Sequence, residues 1–238
     1  MKAKIALCTV MMAGALFAED IFNAEEHSVT PLSIGIASPL QLPDSEWRVW
    51  GLRFGGFYGS SHEVIGIDFG VCGRTTIGMT GIQLTSFNRV CGDVRGIQFG
   101  LVANSDRLDV RGVQLGGVNW DQGSLGGVQL GIVNLDAVFY GAQLGFLNWD
   151  GGLSYGAQAG FVNVDVNEYT GASFGFVNKA DRMSGFQMGL VNLIDKVGTG
   201  VQFGLFNGAA KFDGVQIGLL NVIQNSPLPI MPFLNANF

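Results

Sequence analysis

The sequence predicts an all-β fold, a repeat β-solenoid of about twelve 15-residue units. Three observations predict it. A glycine recurs every 14 to 16 residues, apolar and polar residues alternate within each unit, and glycine is too abundant for stable helices, at 37 of 238 residues. Charged residues are only 13% of the chain, about half of the share in an ordinary soluble domain.

A removable export signal is predicted at residues 1–18. Lys2 and Lys4 give a positive start, an apolar run follows from Ile5 to Met12, and small residues precede a cleavage point after Ala18. We therefore expect an exported protein, at the cell surface or outer membrane of a bacterium, with the periplasm or secretion as the alternative. No later segment has 18 uninterrupted apolar residues, so no transmembrane helix is expected.

The charge and the cysteines restrict the partners. Removal of Lys2 and Lys4 takes the formal charge from −6 to −8. An acidic chain with few lysines argues against a nucleic-acid partner and against electrostatic docking to anionic lipid. Cys72 and Cys91 remain, and in an exported protein they could form a disulfide. Two buried thiols are the alternative, because spacing does not establish the geometry of a disulfide.

Twelve copies of the unit follow one another without a gap, and we number each copy from its opening glycine as position zero. These glycines are Gly51, Gly66, Gly81, Gly96, Gly112, Gly127, Gly141, Gly156, Gly171, Gly185, Gly200 and Gly214. A second glycine stands at position four in eleven copies, and Thr85 replaces it in the other. Glycine at these places predicts a tight backbone path.

Amide side chains recur at two positions of the copy. Position two is Gln in nine copies: Gln83, Gln98, Gln114, Gln129, Gln143, Gln158, Gln187, Gln202 and Gln216. Position seven is Asn in nine: Asn88, Asn119, Asn134, Asn148, Asn163, Asn178, Asn192, Asn207 and Asn221. Such recurrence predicts ladders in which each copy bonds the copies above and below. The first two copies carry Arg53 and Asp68 at position two, opposite charges that direct stacking would favour.

The apolar pattern predicts a bend inside each copy. Positions one and three are almost always apolar, and positions five and six are usually both apolar, as in Phe146-Leu147. The alternation therefore slips by one residue, and a corner or bulge would absorb the slip. We expect two short strands around a bend, followed by a turn.

Two architectures fit such a unit. In a β-solenoid, like positions stack about 4.8 Å apart. In an outer-membrane antiparallel β-barrel, each copy would be one strand of about ten residues. The even spacing and the prolines of the last segment favour the solenoid. Stacked aspartates would repel in it, so we interpret Asp121, Asp136, Asp150 and Asp165, all at position nine, as turn residues that face solvent.

The chain is divided as a signal peptide at 1–18, an N-terminal lead or cap at 19–50, the repeat domain at 51–223 and a Pro-rich C-terminal cap at 224–238. We expect Phe233, Leu234 and Phe238 to pack on the apolar side of the last copy, because repeat arrays need covered ends. Trp120 and Trp149 share position eight and are interpreted as core, with a membrane-interface pair as the alternative.

The segment from Pro31 to Gly59, the G-x-Q-x-G-x-x-N units and the ending NSPLPIMPFLNANF together resemble a family of bacterial surface repeat-containing proteins, known from Leptospira-type spirochaetes and other bacteria. The resemblance covers about Pro31 to Phe238. It implies export, a surface or outer-membrane location and no assigned catalytic activity, and it supplies no functional residues.

No catalytic, cofactor-binding or metal site is predicted. The two histidines are His27 and His62, and the run from Ser60 through His62 to Glu63 is interpreted as a polar turn, because neighbours in sequence rarely form a triad. The polar run Asp165 to Glu168 is interpreted in the same way. We expect a non-enzymatic structural or interaction scaffold without a cofactor. Its partner is unknown, with the outer membrane or other surface components as candidates, and the alternative is a β-barrel acting as a small channel or plug.

Overall fold

The computed structural model describes residues 28–238, so the predicted signal peptide, its cleavage point and His27 lie outside the described residues. Nine strands make up this part of the chain, and it contains no helix. They are β1 Val29–Ala37, β2 Leu40–Leu42, β3 Arg48–Val90, β4 Asp93–Asp106, β5 Val110–Asp150, β6 Leu153–Met188, β7 Val191–Phe203, β8 Phe206–Ile223 and β9 Ile230–Asn237. The all-β prediction is confirmed.

The chain winds into a β-solenoid of about 13 turns of ~15 residues. All strands belong to one sheet in the order β2-β1-β3-β4-β5-β6-β7-β8-β9. Equivalent residues of successive copies pair in parallel, for example Gly81 with Gly96 and Gln98 with Gln114. The solenoid prediction is therefore confirmed. The antiparallel barrel alternative is wrong, because each coil returns to its start and runs in the same direction as the coil before it.

The predicted corner falls at positions four to six. Neither Phe146 nor Leu147, at positions five and six, is buried, although Gln143 and Asn148 on either side of them are, so the alternation slips there. The register shifts at Thr85/Phe87 and at Gly100/Ala103 have one cause, the additional residue of copy four. The expected turn after the bend is mostly absent, since β3 continues through 43 residues and β5 through 41. The backbone stays in strand geometry around the other flanks of the coil and bonds to its neighbours throughout.

The opening glycines are required by both conformation and space. All twelve have a positive φ between 122° and 155°, a region that residues with a side chain rarely adopt. A Cβ on Gly141 would overlap the carbonyl oxygen of Gly127 on the preceding coil. The stack of glycines therefore lets successive coils approach closely at this corner.

The usual distribution of polar and apolar residues is inverted. The Gln and Asn positions point into the coil and are buried, whereas positions one, three and five point outward. Within the described residues, the buried apolar side chains form two clusters on other flanks. The first is Val49, Val64, Met79, Val90, Val94, Val110, Leu125 and Phe139, and the second is Tyr169, Ala180, Met183, Ile194, Ala209, Phe212 and Ile223.

Antiparallel strands lie at both ends of the stack. β2 pairs with β1 at the start, and β9 pairs with β8 at the end. The expected packing of the C-terminal aromatic residues is wrong: Phe233 is 70% exposed, Leu234 53% and Phe238 92%. Pairing as a strand directs alternate side chains of β9 to opposite sides, and it is Asn235 that becomes buried.

Candidate functional site

The glutamines at position two form a hydrogen-bonded column along the solenoid axis. The Nε2 of Gln98 donates to the Oε1 of Gln83 over 3.0 Å, and Gln114 donates to Gln98 over 3.0 Å. The next steps are Gln129 to Gln114 at 2.7 Å and Gln143 to Gln129 at 3.3 Å. All five side chains are fully buried. From Gln83 to Gln143, a hydrogen bond between side-chain amides inside the solenoid thus fixes each coil on the one before it.

The column changes in its second half. Gln158 donates to Asp150 of the preceding coil and to Asp165 of its own coil, the latter over 3.1 Å. Ser173 then occupies position two and donates its hydroxyl to the Oδ1 of Asn178 over 2.8 Å. Amide pairing resumes from Gln202 to Gln187 at 2.9 Å and from Gln216 to Gln202 at 2.7 Å. The serine therefore separates two amide columns.

The asparagines form a second column that is continuous. Its members are Asn88, Asn104, Asn119, Asn134, Asn148, Asn163, Asn178, Asn192, Asn207 and Asn221. Each step has two bonds: the Nδ2 of Asn134 donates to the Oδ1 of Asn148 over 2.7 Å and to the backbone carbonyl of Leu144 over 3.1 Å. Asn104 was not predicted, because the additional residue of copy four moves it to position eight. The N-x-D spacing it shares with Asn119 could have identified it.

A column of aspartates lies beside the glutamines, inside the solenoid. Asp106, Asp121, Asp136, Asp150 and Asp165 are at most 5% exposed, so the interpretation as solvent-facing turn residues is wrong. Positions seven and nine have the same parity along a strand, which puts these aspartates on the side of the buried asparagines. The polar turn expected at Asp165 to Glu168 is also wrong, because that segment is strand within β6.

Four of these five carboxyl groups bridge consecutive glutamines, and the fifth, that of Asp165, accepts from Gln158 alone among the glutamines. The Oδ1 of Asp121 accepts from Gln114 over 2.9 Å, and its Oδ2 accepts from Gln129 over 2.9 Å. Asp136 accepts from Gln129 over 3.0 Å and also from Gln143. The amide donors therefore replace the water that the carboxyl groups lose on burial.

Burial raises the pKa values of the carboxyl groups in this column above their usual range. Burial raises the pKa of Asp106 well above its usual range, and the carboxyl of Asp121 raises it further. Burial has the same effect on the pKa of Asp136, to which Asp121 and Asp150 add. The pKa of Asp150 is raised by burial and then by Asp165, whose own pKa burial raises to about 7. Neighbouring carboxyl groups of the stack therefore do not all ionise together.

A buried ion pair closes the glutamine column at its start. The Nε of Arg53 donates to the Oδ1 of Asp68 over 2.7 Å, and a second guanidinium nitrogen donates to Oδ2. Arg53 also donates to the backbone carbonyl of Arg74 over 2.8 Å. Gln83 donates to the Oδ2 of Asp68 over 2.7 Å, so the pair continues directly into the amide column. The opposite charges of copies one and two are thus in contact.

The serine and histidine segment is buried strand, so its interpretation as a polar turn is wrong. Ser61 and His62 lie inside β3, and the hydroxyl of Thr76 is 3.2 Å from the Nδ1 of His62. The side-chain amide of Gln41 donates to the carbonyl of Ser60 over 2.6 Å. The segment is covered by β2, which explains how adjacent polar residues are accommodated in a strand.

The disulfide considered for Cys72 and Cys91 is not present in the described structure. Cys72 stands at position six of copy two, and Cys91 stands at position ten of copy three. These positions belong to different flanks of the coil, so the two thiols do not face each other. Cys72 is buried and Cys91 is half-buried.

One flank of the solenoid is an apolar face, which we define as positions one, three, five and six of the twelve copies. None of these positions carries Asp, Glu, Lys, Arg or His in any copy. The side chains point outward, and Ile132 is 65% exposed and Phe146 58%. Aromatic rings stack in register along the axis, with ring centroids 4.9 Å apart for Phe146 and Phe161 and 4.5 Å for Phe161 and Phe176.

Aromatic residues lie along both edges of the apolar face. At position eight, Trp120 is 51% exposed and Trp149 46%, so their interpretation as core is wrong. On the other edge, directly before the opening glycine, Tyr140 and Tyr155 stack with ring centroids 5.3 Å apart. Trp50 occupies the same place before copy one and is also exposed.

The remaining flank carries the charged side chains. Lys196 bonds to Asp181 over 2.6 Å, and Lys179 bonds to Asp195 over 3.0 Å, all four on the outside of the coil. The hydrogen bond and charge of Asp195 raise the pKa of Lys179. The solenoid is therefore amphipathic around its circumference.

A groove runs along the apolar face over copies eight to twelve. Its volume is about 870 Å³, and its floor is made by the glycines at position four. Phe174 and Phe203 line one wall, and Phe176 and Leu205 line the other. The groove is parallel to the solenoid axis because its walls are stacked rows of equivalent residues.

Residues 28–238 contain no group of three or more His, Cys, Asp or Glu side chains that could hold a metal ion. Within the same range, no helix is long and apolar enough to cross a membrane. The sequence matches no protein-family model and no curated protein, and the structure matches no solved structure.

Proposed function

We propose that this protein is a non-enzymatic, exported scaffold that acts by docking its apolar face on a hydrophobic partner at the surface or outer membrane of a bacterium. The family of surface repeat-containing proteins that it resembles supports this location. The observation that carries the proposal is the apolar face itself: exposed aliphatic and aromatic rows on twelve consecutive copies, without an ionisable residue.

The size of the face supports a docking role. Six residues per copy, from position one to position six, at ~3.3 Å and twelve coils at ~4.8 Å give a footprint of roughly 1,100 Å². The largest apolar patch on a typical monomer is only about 300–600 Å², and larger ones mark sites of association with proteins or membranes. An apolar field of this extent would be costly to leave in water.

The interior supports a structural role. Its amide side chains are buried in axial columns, of which the asparagine column is continuous, and most of them are bonded to their neighbours, as with Gln114 between Gln98 and Gln129. Groups held in this way do not meet a substrate in solution. Their effect is to fix every coil on the next, so that the outer rows present a regular surface.

A charge placed on the apolar face tests the proposal. We expect the mature chain to bind detergent micelles or to associate with itself, and the double variant Phe146→Lys with Phe176→Lys to do so much less. The matched control is Val166→Lys with Val197→Lys, two exposed strand residues outside the face. Sedimentation velocity with and without detergent measures both properties. A wild-type chain that stays monomeric and detergent-free would contradict the docking role.

A further inference from the structure

We propose that the partner of the apolar face is lipid hydrocarbon, so that the solenoid lies along a bilayer and inserts this face into one leaflet. This inference rests on the proposed docking function and names its partner. It separates the molecule into an inserted flank, made of positions one, three, five and six, and a charged flank that stays in water.

The backbone of the face meets the requirement that hydrocarbon imposes. In lipid, every backbone N–H and C=O group needs a partner within the protein. Residues 141–145 pair with residues 156–160 in register, and the same parallel pairing is repeated along the stack. The Gln and Asn side chains of the same segments point inward, so they expose no amide on this side.

The face is too poor in polar groups for a protein partner. Protein interfaces have about one hydrogen bond per 100–200 Å², so a footprint of roughly 1,100 Å² would need roughly 6 to 11. In the twelve copies, Ser86 supplies the only hydroxyl or amide side chain at the positions of the face. Hydrocarbon requires none. This deficit favours lipid over a protein surface.

The edges of the face have the composition of a membrane interface. Trp120 and Trp149 border one side, and Tyr140 and Tyr155 border the other, all of them exposed. Trp and Tyr are enriched where hydrocarbon meets water, because their rings are apolar and their N–H or O–H groups are polar. In the middle coils, these four rings on the two sides of the apolar field fit the lines along which an inserted solenoid would leave the leaflet. In other copies position eight holds different residues, including Arg74, Arg89 and Lys179.

The surface relief of the face also fits a fluid partner. The groove over copies eight to twelve is open and apolar, between the rows of Phe174 and Phe176. Acyl chains adjust to such a groove, whereas a rigid protein would need a matching ridge. The chain has a net negative formal charge, and anionic headgroups would repel it. The lipid surface expected is therefore a neutral one.

The test uses the full mature chain and vesicles of phosphatidylcholine alone. We expect the wild type to float with the vesicles, and Phe146→Lys with Phe176→Lys to lower the partition coefficient at least tenfold. The control pair Val166→Lys with Val197→Lys should float like the wild type. Circular dichroism and thermal unfolding of all three proteins establish that the variants are folded before they are compared.

Tryptophan fluorescence tests whether the edge of the apolar face at Trp120 and Trp149 lies at the membrane interface. We expect vesicles to shift tryptophan emission to the blue and brominated lipid to quench it. Replacement of Trp120 and Trp149 by Phe should reduce both effects and leave the part that Trp50 supplies from the opposite edge. Unchanged quenching in the double Phe variant would overturn the assignment of this edge.

The outcomes separate the inference from the proposed function. Self-association through the face without flotation overturns the lipid partner and leaves the docking function standing. Detergent binding without flotation does the same. A monomer that binds neither detergent nor vesicles overturns both. Equal flotation of the two double Lys variants overturns the assignment of the inserted flank.

Discussion

The middle coils and the last coils have the same outer surface and asparagine column but different interiors. In copies four to eight, aspartates from Asp106 to Asp165 line the inside beside the glutamines. In copies nine to twelve, the equivalent position holds Ala180, Ile194, Ala209 and Ile223. One position of the copy therefore changes from acidic to aliphatic while the backbone path stays the same.

The two interiors satisfy the glutamines differently. In the middle coils, Gln143 donates to Asp136 and to Asp150 as well as to its neighbour in the column. In the last coils, the Nε2 of Gln187 has no hydrogen-bond partner in the described structure. There, Tyr169, Met183 and Phe212 pack with the aliphatic residues instead. The glycines and asparagines therefore fix the backbone path of the coil. Either a network of carboxyl groups or an apolar cluster can fill its interior.

The largest effect is expected when an acid is put into the apolar interior. Ile194→Asp should lower the free energy of unfolding by about 4–5 kcal/mol, because the carboxyl group would lose its water among Tyr169, Met183 and Phe212, with only the unpaired Nε2 of Gln187 in the same coil to replace it. The control Ile194→Val should cost about 1 kcal/mol. Urea unfolding followed by circular dichroism measures both. An acid tolerated there would mean that the two interiors are interchangeable.

The next effect is a difference between two glutamines. Gln143→Leu removes one of the two glutamine donors from each of two buried carboxyl groups, Asp136 and Asp150, and should cost about 2–3 kcal/mol. Gln202→Leu breaks only amide pairs in the column and should cost about 1 kcal/mol. The same urea series gives the comparison. Equal costs would show that the aspartates do not depend on the glutamines.

A smaller effect is expected from pH. Burial and Asp165 raise the pKa of Asp150, so the folded protein binds this proton more tightly than the unfolded chain. The resulting stability is fully present below the unfolded pKa of about 4 and is lost as pH rises through the folded pKa. For Asp165 that window ends at a pKa of about 7. The free energy of unfolding should therefore fall with rising pH, by up to about 1.4 kcal/mol per pH unit for each proton.

The variant Asp150→Asn isolates this term. An amide needs no proton, so the variant should be as stable as the wild type near pH 4 and increasingly more stable than the wild type as the pH rises toward 8. Asp213→Asn, at an exposed residue, is the matched control and should not change the pH profile. Urea midpoints across this pH range provide the measurement. A wild-type protein that gains stability with rising pH would refute the protonated column.

The smallest effect is expected on the apolar face, which the two regions share. Phe146→Lys in the middle and Leu205→Lys in the last coils change exposed side chains, so each should alter stability in water by less than about 0.5 kcal/mol. Thermal unfolding in detergent-free buffer checks this. A large loss in only one region would mean that the interior difference reaches the outer rows.

Much of the fold could be predicted because the sequence repeats. A fixed period of 14 to 16 residues brings equivalent residues of successive copies together, whatever the shape of the coil. The columns of Gln and Asn and the contact of Arg53 with Asp68 follow from this stacking alone. Asn104 was not predicted as a member of the asparagine column, because a single additional residue in its copy moved it from position seven to position eight.

Only the tertiary structure decided which side of each strand faces inward. Alternation separates two faces, and their assignment then rests on the expectation that apolar residues are buried. Here the amides occupy the inside, because each bonds to the same residue one coil away and needs no water. The aspartates at position nine follow them inward by strand parity, and Trp120 and Trp149 at position eight face outward for the same reason. The repeat period in the sequence sets which residues stack on one another. The axial hydrogen bonds between coils then place the amide side chains inside the solenoid.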